Sequence, residues 1–142
     1  MRILLDTNVI LDVILSREPY LNSSAAIFTL ACQEKVEAFV TASSVTDIYY
    51  IVNKRLGDTT AREALRNLLN IFSIVCVDGN DCLCALDLPI ADFEDALITV
   101  CAVKDYIDYI ISNDREFLHI TPLPVGILST DDFLNAFYTD FS

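Results

Sequence analysis

Glycine and histidine are nearly missing from this 142-residue chain, which holds three of the first and one of the second. Three scattered glycines cannot build the loops that cradle phosphates. A Walker P-loop and a dinucleotide fingerprint are both absent, and with them ATP- or NAD-driven chemistry of those kinds. A single histidine, His119, gives little from which to build a Ser-His-Asp or Cys-His hydrolase, and no nucleophile-elbow glycine pattern surrounds any serine. His119 is read as a structural or surface residue. Basic residues are scarce as well: nine Lys and Arg face 21 Asp and Glu, for a net charge of −12 and a pI near 4.1. That balance opposes tight, nonspecific attachment to nucleic acid by long-range attraction.

Other absences bound the architecture. The stretches free of charge are too short or too polar to cross a bilayer, so no membrane helix is expected. Asp6 and Asp12 interrupt the apolar start of the chain before a signal-peptide core can form, and a cytoplasmic protein is expected. No Pro-, Gly- or Ser-rich linker and no repeat is visible, which predicts one domain over 1–142. The five cysteines are odd in number and sit in apolar segments, which suits reduced core thiols better than a disulfide framework. Cys82-x-Cys84 has only His119 and scattered cysteines with which to complete a zinc site.

Apolar residues are plentiful. They make up 54% of the chain, six Tyr and eight Phe among them, and the mean hydropathy is +0.45. A disordered acidic tail lacks such residues, so the chain folds. Short apolar runs at 2–5, 38–41, 73–77, 109–112 and 125–128 predict four or five buried strands. Helical patterns lie between them, at 23–34, 61–71 and 92–106. Buried strands that alternate with helices predict an α/β fold, a central parallel sheet covered by helices on each side. In such sheets ligands bind at the carboxyl ends of the strands.

Acids gather at those ends. Asp6 follows the first strand directly, Asp47 lies six residues past the second, Asp114 follows the fourth, and Asp95 opens the helix before the fourth. If those three strands are neighbours, the four carboxylates converge. Unpaired acids a few ångströms apart raise one another's pKa, a conflict that a hard cation such as Mg²⁺ or Mn²⁺ resolves. Each acid also has a structural reading. Ser44-Val45-Thr46-Asp47 fits a capping box and Asp92-Phe93-Glu94-Asp95 starts with a good N-cap, while Asp114 suits a turn and Asp6 can bond the following backbone.

Leu5-Asp6-Thr7-Asn8-Val9-Ile10-Leu11-Asp12 resembles the opening motif of PIN-domain ribonucleases, including the VapC-type toxins of bacterial toxin–antitoxin pairs. Three further motifs follow in order. They are Thr41-Ala42-Ser43-Ser44-Val45-Thr46-Asp47-Ile48, Asp92-Phe93-Glu94-Asp95-Ala96-Leu97 and Ile111-Ser112-Asn113-Asp114-Arg115-Glu116-Phe117. The resemblance spans nearly the whole chain and implies a three-layer α/β/α sandwich with a parallel sheet of four to five strands. It also implies an acidic pocket holding Mg²⁺ or Mn²⁺. By position Asp6, Asp47, Asp95 and Asp114 are the catalytic and metal-binding acids, with Asn8 supporting them by a hydrogen bond. Asp47 stands where the family usually carries Glu, and Ser112-Asn113-Asp114 lacks the common Thr-Arg, which leaves Glu116 as an alternate to Asp114. Asp12 and Asp92 lie close enough in sequence to be outer ligands.

The activity implied is metal-dependent hydrolysis of RNA phosphodiester bonds by the toxin of a toxin–antitoxin pair. The alternative is a catalytically weak or inactive PIN-like module that binds RNA or protein. Lys54, Arg55, Arg62 and Arg66 fall within thirteen residues and could track phosphates, or form an ordinary ion-paired helix face. Tyr49 and Tyr50 could stack on splayed bases or belong to the core. A homodimer and an antitoxin segment laid in an apolar groove are the partners that the resemblance implies. The 23–34 helix and the Tyr49-Tyr50-Ile51-Val52 face are candidates for that groove, and core packing explains either equally well.

Overall fold

The computed structural model describes residues 1–138. Five strands form one sheet, β1 (Arg2–Leu5), β2 (Glu37–Thr41), β3 (Ser73–Val75), β4 (Tyr109–Ile111) and β5 (Gly126–Leu128). Their order is β3-β2-β1-β4-β5 and every pairing is parallel. Helix α1 (Thr7–Ile14) follows β1, and α2 (Leu21–Cys32) leads into β2. Helices α3 (Ala42–Leu56) and α4 (Asp58–Ile71) join β2 to β3, and α5 (Gly79–Leu86) and α6 (Phe93–Lys104) join β3 to β4. The short α7 (Arg115–Leu118) precedes β5, and α8 (Thr130–Phe137) follows it.

The pleat divides the strand residues between two cores. Ile3, Leu5, Ala38, Val40 and Ile111 face one layer, where α1, α2, α3, α4 and α8 supply Val9, Ile27, Ile48, Leu68 and Phe133. Leu4, Phe39, Val75 and Ile110 face the other, against Ala85 of α5, Ile98 of α6 and Phe117 of α7. This is the α/β/α sandwich expected from the sequence. Because both faces are covered, the strands read as continuous apolar runs.

The predicted elements fall close to the observed ones. The second strand begins one residue earlier, at Glu37, and the third ends at Val75, two residues short of the 73–77 run. The 61–71 helix starts at Asp58, set off from α3 by Gly57 at φ +90°, a conformation that favours glycine. Helices α1, α3, α5, α7 and α8 lie outside the three helical patterns of the sequence, with only a helix start at Ser44 to point to α3. The cysteines correct an expectation: Cys101 is buried, Cys82 is half-buried, and Cys32, Cys76 and Cys84 are exposed. Among the described residues no helix is long and apolar enough to cross a membrane.

Gly126 pairs with Tyr109 across the β4–β5 ladder, and a Cβ at Gly126 would sit 2.7 Å from the tyrosine ring. The ring also packs on Phe137, with centroids 5.4 Å apart, so it has little room to yield. Gly126→Ala should destabilise the chain by about 1–3 kcal/mol through overpacking. Urea denaturation checks this, as a lowered midpoint with an unchanged slope.

Candidate active site

The strand order places β1 between β2 and β4, with the β1 connection running one way and the β4 connection the other. A crevice opens at the carboxyl ends of such a pair. Asp6 leaves β1 at this point, and its N–H extends the ladder by donating to Ile111 O at 2.9 Å. Asp6 holds the N-cap position of α1, yet its side chain makes no capping bond. Its Oδ2 instead accepts from Ser112 Oγ at 2.8 Å, across the β1–β4 seam. Ser112 Oγ also accepts from the Asp114 N–H at 3.1 Å, so one hydroxyl at the end of β4 positions both acids.

An open cleft of about 370 Å³ lies here, lined by Asp6, Asp47, Asp92, Glu94, Asp95 and Asp114 together with Thr7, Asn8, Tyr50 and Ile51. Six carboxylates share it, and no Lys, Arg or His is among the lining residues. The four acids expected from the sequence are therefore brought together, and Asn8 with them. Asp114, not Glu116, faces the cleft. The alternates sort differently. Asp12 is buried in α1 and bonded to Arg17 Nε at 3.0 Å, outside the lining, whereas Asp92 lines the cleft while capping α6 through Asp95 N at 3.0 Å.

Two of the acids are largely buried. Asp6 is 4% exposed and Asp95 is 8% exposed, while Asp47 and Asp114 lie at the open rim. Burial pushes the Asp6 carboxyl up to about 6, with Glu94 and Asp114 adding to the rise and Ser112 opposing it. Burial pushes Asp95 further, to about 7, helped by the charges of Asp92, Asp6, Asp114 and Glu94. Among the described residues none donates a side-chain hydrogen bond to the Asp95 carboxylate. Such a pair, largely buried, mutually repelling and short of donors, has the chemistry of a hard-cation site. Among the described residues, no three His, Cys, Asp or Glu side chains are gathered into a ready-made metal cluster. Mg²⁺ needs no such cage, since it keeps several waters and binds through one or two carboxylates.

The cleft wall rests on uncharged hydroxyls. Thr41 caps α3 by accepting from Ser44 N at 3.2 Å, so the expected Ser44 to Asp47 capping box is replaced by a cap three residues earlier. Asp47 then falls inside the helix, on its exposed side. Ser44 Oγ lies 2.9 Å from Thr41 Oγ1 and 2.8 Å from Thr7 Oγ1, and Thr7 Oγ1 lies 3.0 Å from Glu94 Oε1. This chain ties β2, α1 and α6 together beneath the acids. Glu94 was missed as a site residue, although it sits between the two acids singled out in its motif. Only the helical register shows that it turns inward. Burial raises its carboxyl too, against the bond from Thr7.

The remaining candidates separate cleanly. Tyr49 packs against the core, whereas Tyr50 is 64% exposed and lines the cleft. Lys54, Arg55, Arg62 and Arg66 are exposed, outside the lining, and Arg62 pairs with Asp58 at 2.9 Å, as the ion-paired reading expects. His119 is an exposed residue ending α7.

A sequence model described as PIN domain matches residues 2–116. Ribonuclease VapC1 of Aquifex aeolicus (strain VF5) is 24% identical over 143 residues, covering 97% of this chain and 96% of that protein. Among solved structures, VapBC2 from Rickettsia felis bound to a promoter DNA fragment superposes with a TM-score of 0.68 at 17% identity, over 91% of this chain and 98% of that one. Mycobacterium tuberculosis VapC20, a Sarcin-Ricin loop cleaving toxin, gives 0.64 at 16%, over 81% and 92%. These structural likenesses show the fold.

The raised acids dictate a pH dependence for the chain without cation. Between about pH 4, where an unfolded carboxyl titrates, and pH 7, the folded chain holds protons that the unfolded chain has released. Stability therefore falls as pH rises through that window. Asp95→Asn should remove part of the fall and stabilise the metal-free chain at pH 8, on the order of 2 kcal/mol. Thermal melts in EDTA at pH 5 and pH 8 check this, and a variant that melts as the wild type does at both values contradicts it.

Proposed function

Since the chain belongs to the PIN-domain family, we propose that it is a metal-dependent endoribonuclease and the toxin of a toxin–antitoxin pair. The observation that carries this reading is the cleft of six carboxylates without a lining cation at the carboxyl ends of β1 and β4. Asp6 and Asp95 would hold Mg²⁺ or Mn²⁺, with Asp114 and Asp47 completing the acidic set from the rim. Held by these residues, a cation would supply an activated water and positive charge to offset the negative charge on the phosphoryl group in transit.

The chain's own residues do the rest. Ser112 fixes the Asp6 carboxylate, so its orientation follows from the end of β4 and not from a flexible side chain. Asn8 stands at the mouth of the cleft on α1, its Oδ1 toward Arg17 Nη2 at 3.5 Å, and its amide N–H groups are the donors offered to a phosphate oxygen. Arg17 is in turn held by the buried Asp12, so Asp12 acts as a positioning residue one step behind Asn8. An RNA chain nearing this surface meets net negative charge. Productive binding thus requires the cation, and the salt dependence is shallower than that of a basic nuclease.

Relatives described as a ribonuclease and as toxin–antitoxin complexes support RNA as substrate and an antitoxin as partner. A homodimer in the cytoplasm completes the reading. A second reading, a PIN-like module that binds without cutting, is favoured by the exposed Asp47 and the lack of a ready-made three-ligand cluster among the described residues. Purified protein with Mg²⁺ or Mn²⁺ should cut RNA, EDTA should stop it, and Asp95→Asn should slow it by at least about 100-fold. RNA left intact by a folded wild type that still binds Mn²⁺ in calorimetry would favour the binding module.

A further inference from the structure

The cleft carries an apolar feature that the acids do not account for. Tyr50 and Ile51 are 64% and 38% exposed, and among the described residues they are the only hydrophobic side chains of the lining. Tyr50 lies one helical turn from Asp47 on α3, so its ring borders the acidic rim. An exposed aromatic beside a cluster of carboxylates gains nothing from burial and nothing from charge. It is nonetheless braced. The Tyr49 ring meets it edge-on, with centroids 5.2 Å apart and planes at 78°. Tyr49 is itself held, its hydroxyl bonded to Asp58, which Arg62 Nε grips at 2.9 and 3.1 Å, with the guanidinium 5.6 Å from the tyrosine ring.

A nuclease with this charge distribution must find affinity that does not depend on lining cations. Stacking of a nucleobase on an aromatic face is such a source, indifferent to net charge and tolerant of sequence. Resting on the ribonuclease reading, we propose that Tyr50 is a stacking platform for an unpaired nucleobase of the RNA substrate and holds the adjoining phosphodiester over the acids. Tyr49, Asp58 and Arg62 are positioning residues that fix the platform. The probe that tests it is therefore unpaired RNA, since a base within a continuous duplex stack has no free face to offer.

Binding of a short single-stranded oligoribonucleotide that contains 2-aminopurine tests this, with Ca²⁺ in place of Mg²⁺ and fluorescence as the readout. Wild type, Tyr50→Phe and Tyr50→Trp should quench the probe. Tyr50→Ala should lose the quench and bind about tenfold more weakly, and in cleavage assays its KM should rise with kcat changed far less. Equal affinity and quench for Tyr50→Ala overturn the platform, as does a wild type that binds no oligonucleotide. So does a Tyr50→Ala chain whose mass by gel filtration halves, which would place the ring in a subunit interface. A wild type that quenches the probe but cuts no RNA overturns the ribonuclease reading and leaves the platform standing.

Discussion

Carboxylates held close together without a cation repel, and the rest of this molecule is arranged around where that repulsion is allowed to act. It acts at one place, the end of the β1–β4 seam, where Asp6 is locked against Ser112 and Asp95 lies opposite without a donor of its own. Both are largely buried beside four other carboxylates, so the repulsion is stronger than between fully exposed side chains. Two apolar cores, one on each face of the sheet, supply the stability against which this local strain is set. The hydroxyls of Thr41, Ser44 and Thr7, which end on Glu94, keep the wall in register without adding charge of either sign.

Much of this was visible in the amino-acid sequence, and the reasons differ by element. The strands stood out because a parallel sheet covered on both faces demands unbroken apolar runs such as Ile3-Leu4-Leu5. Helix α1 was not recognised because Val9, Ile10 and Leu11 are consecutive and all buried, which hides the 3.6-residue period beneath a run that looks like a strand. Helices α5 and α8 are only eight residues each, too short for the period to repeat.

The acids of the site were legible as a set because each follows or precedes a strand end. Their individual surroundings were not. Whether Asp47 caps α3 or lies within it depends on Thr41 taking the cap, a matter of local hydroxyl geometry. Whether Tyr49 or Tyr50 reaches solvent depends on a single 100° step around a helix axis, which neighbouring aromatics in a sequence do not reveal. Glu94 is a similar case, since its inward turn depends on its place in the register of α6 after the Asp92 cap.

Ser112, fully buried, meets Asp6 with a hydroxyl. A hydroxyl donates when its partner is ionised and can accept when its partner carries a proton. The link across the β1–β4 seam is therefore compatible with either state of Asp6, whereas an arginine would have pinned the acid to one charge. Form and charge are in this way separated at the centre of the cleft: the Asp6 carboxyl can gain or lose its proton with Ser112 still bonded to it, and the strands that carry the pair need not move.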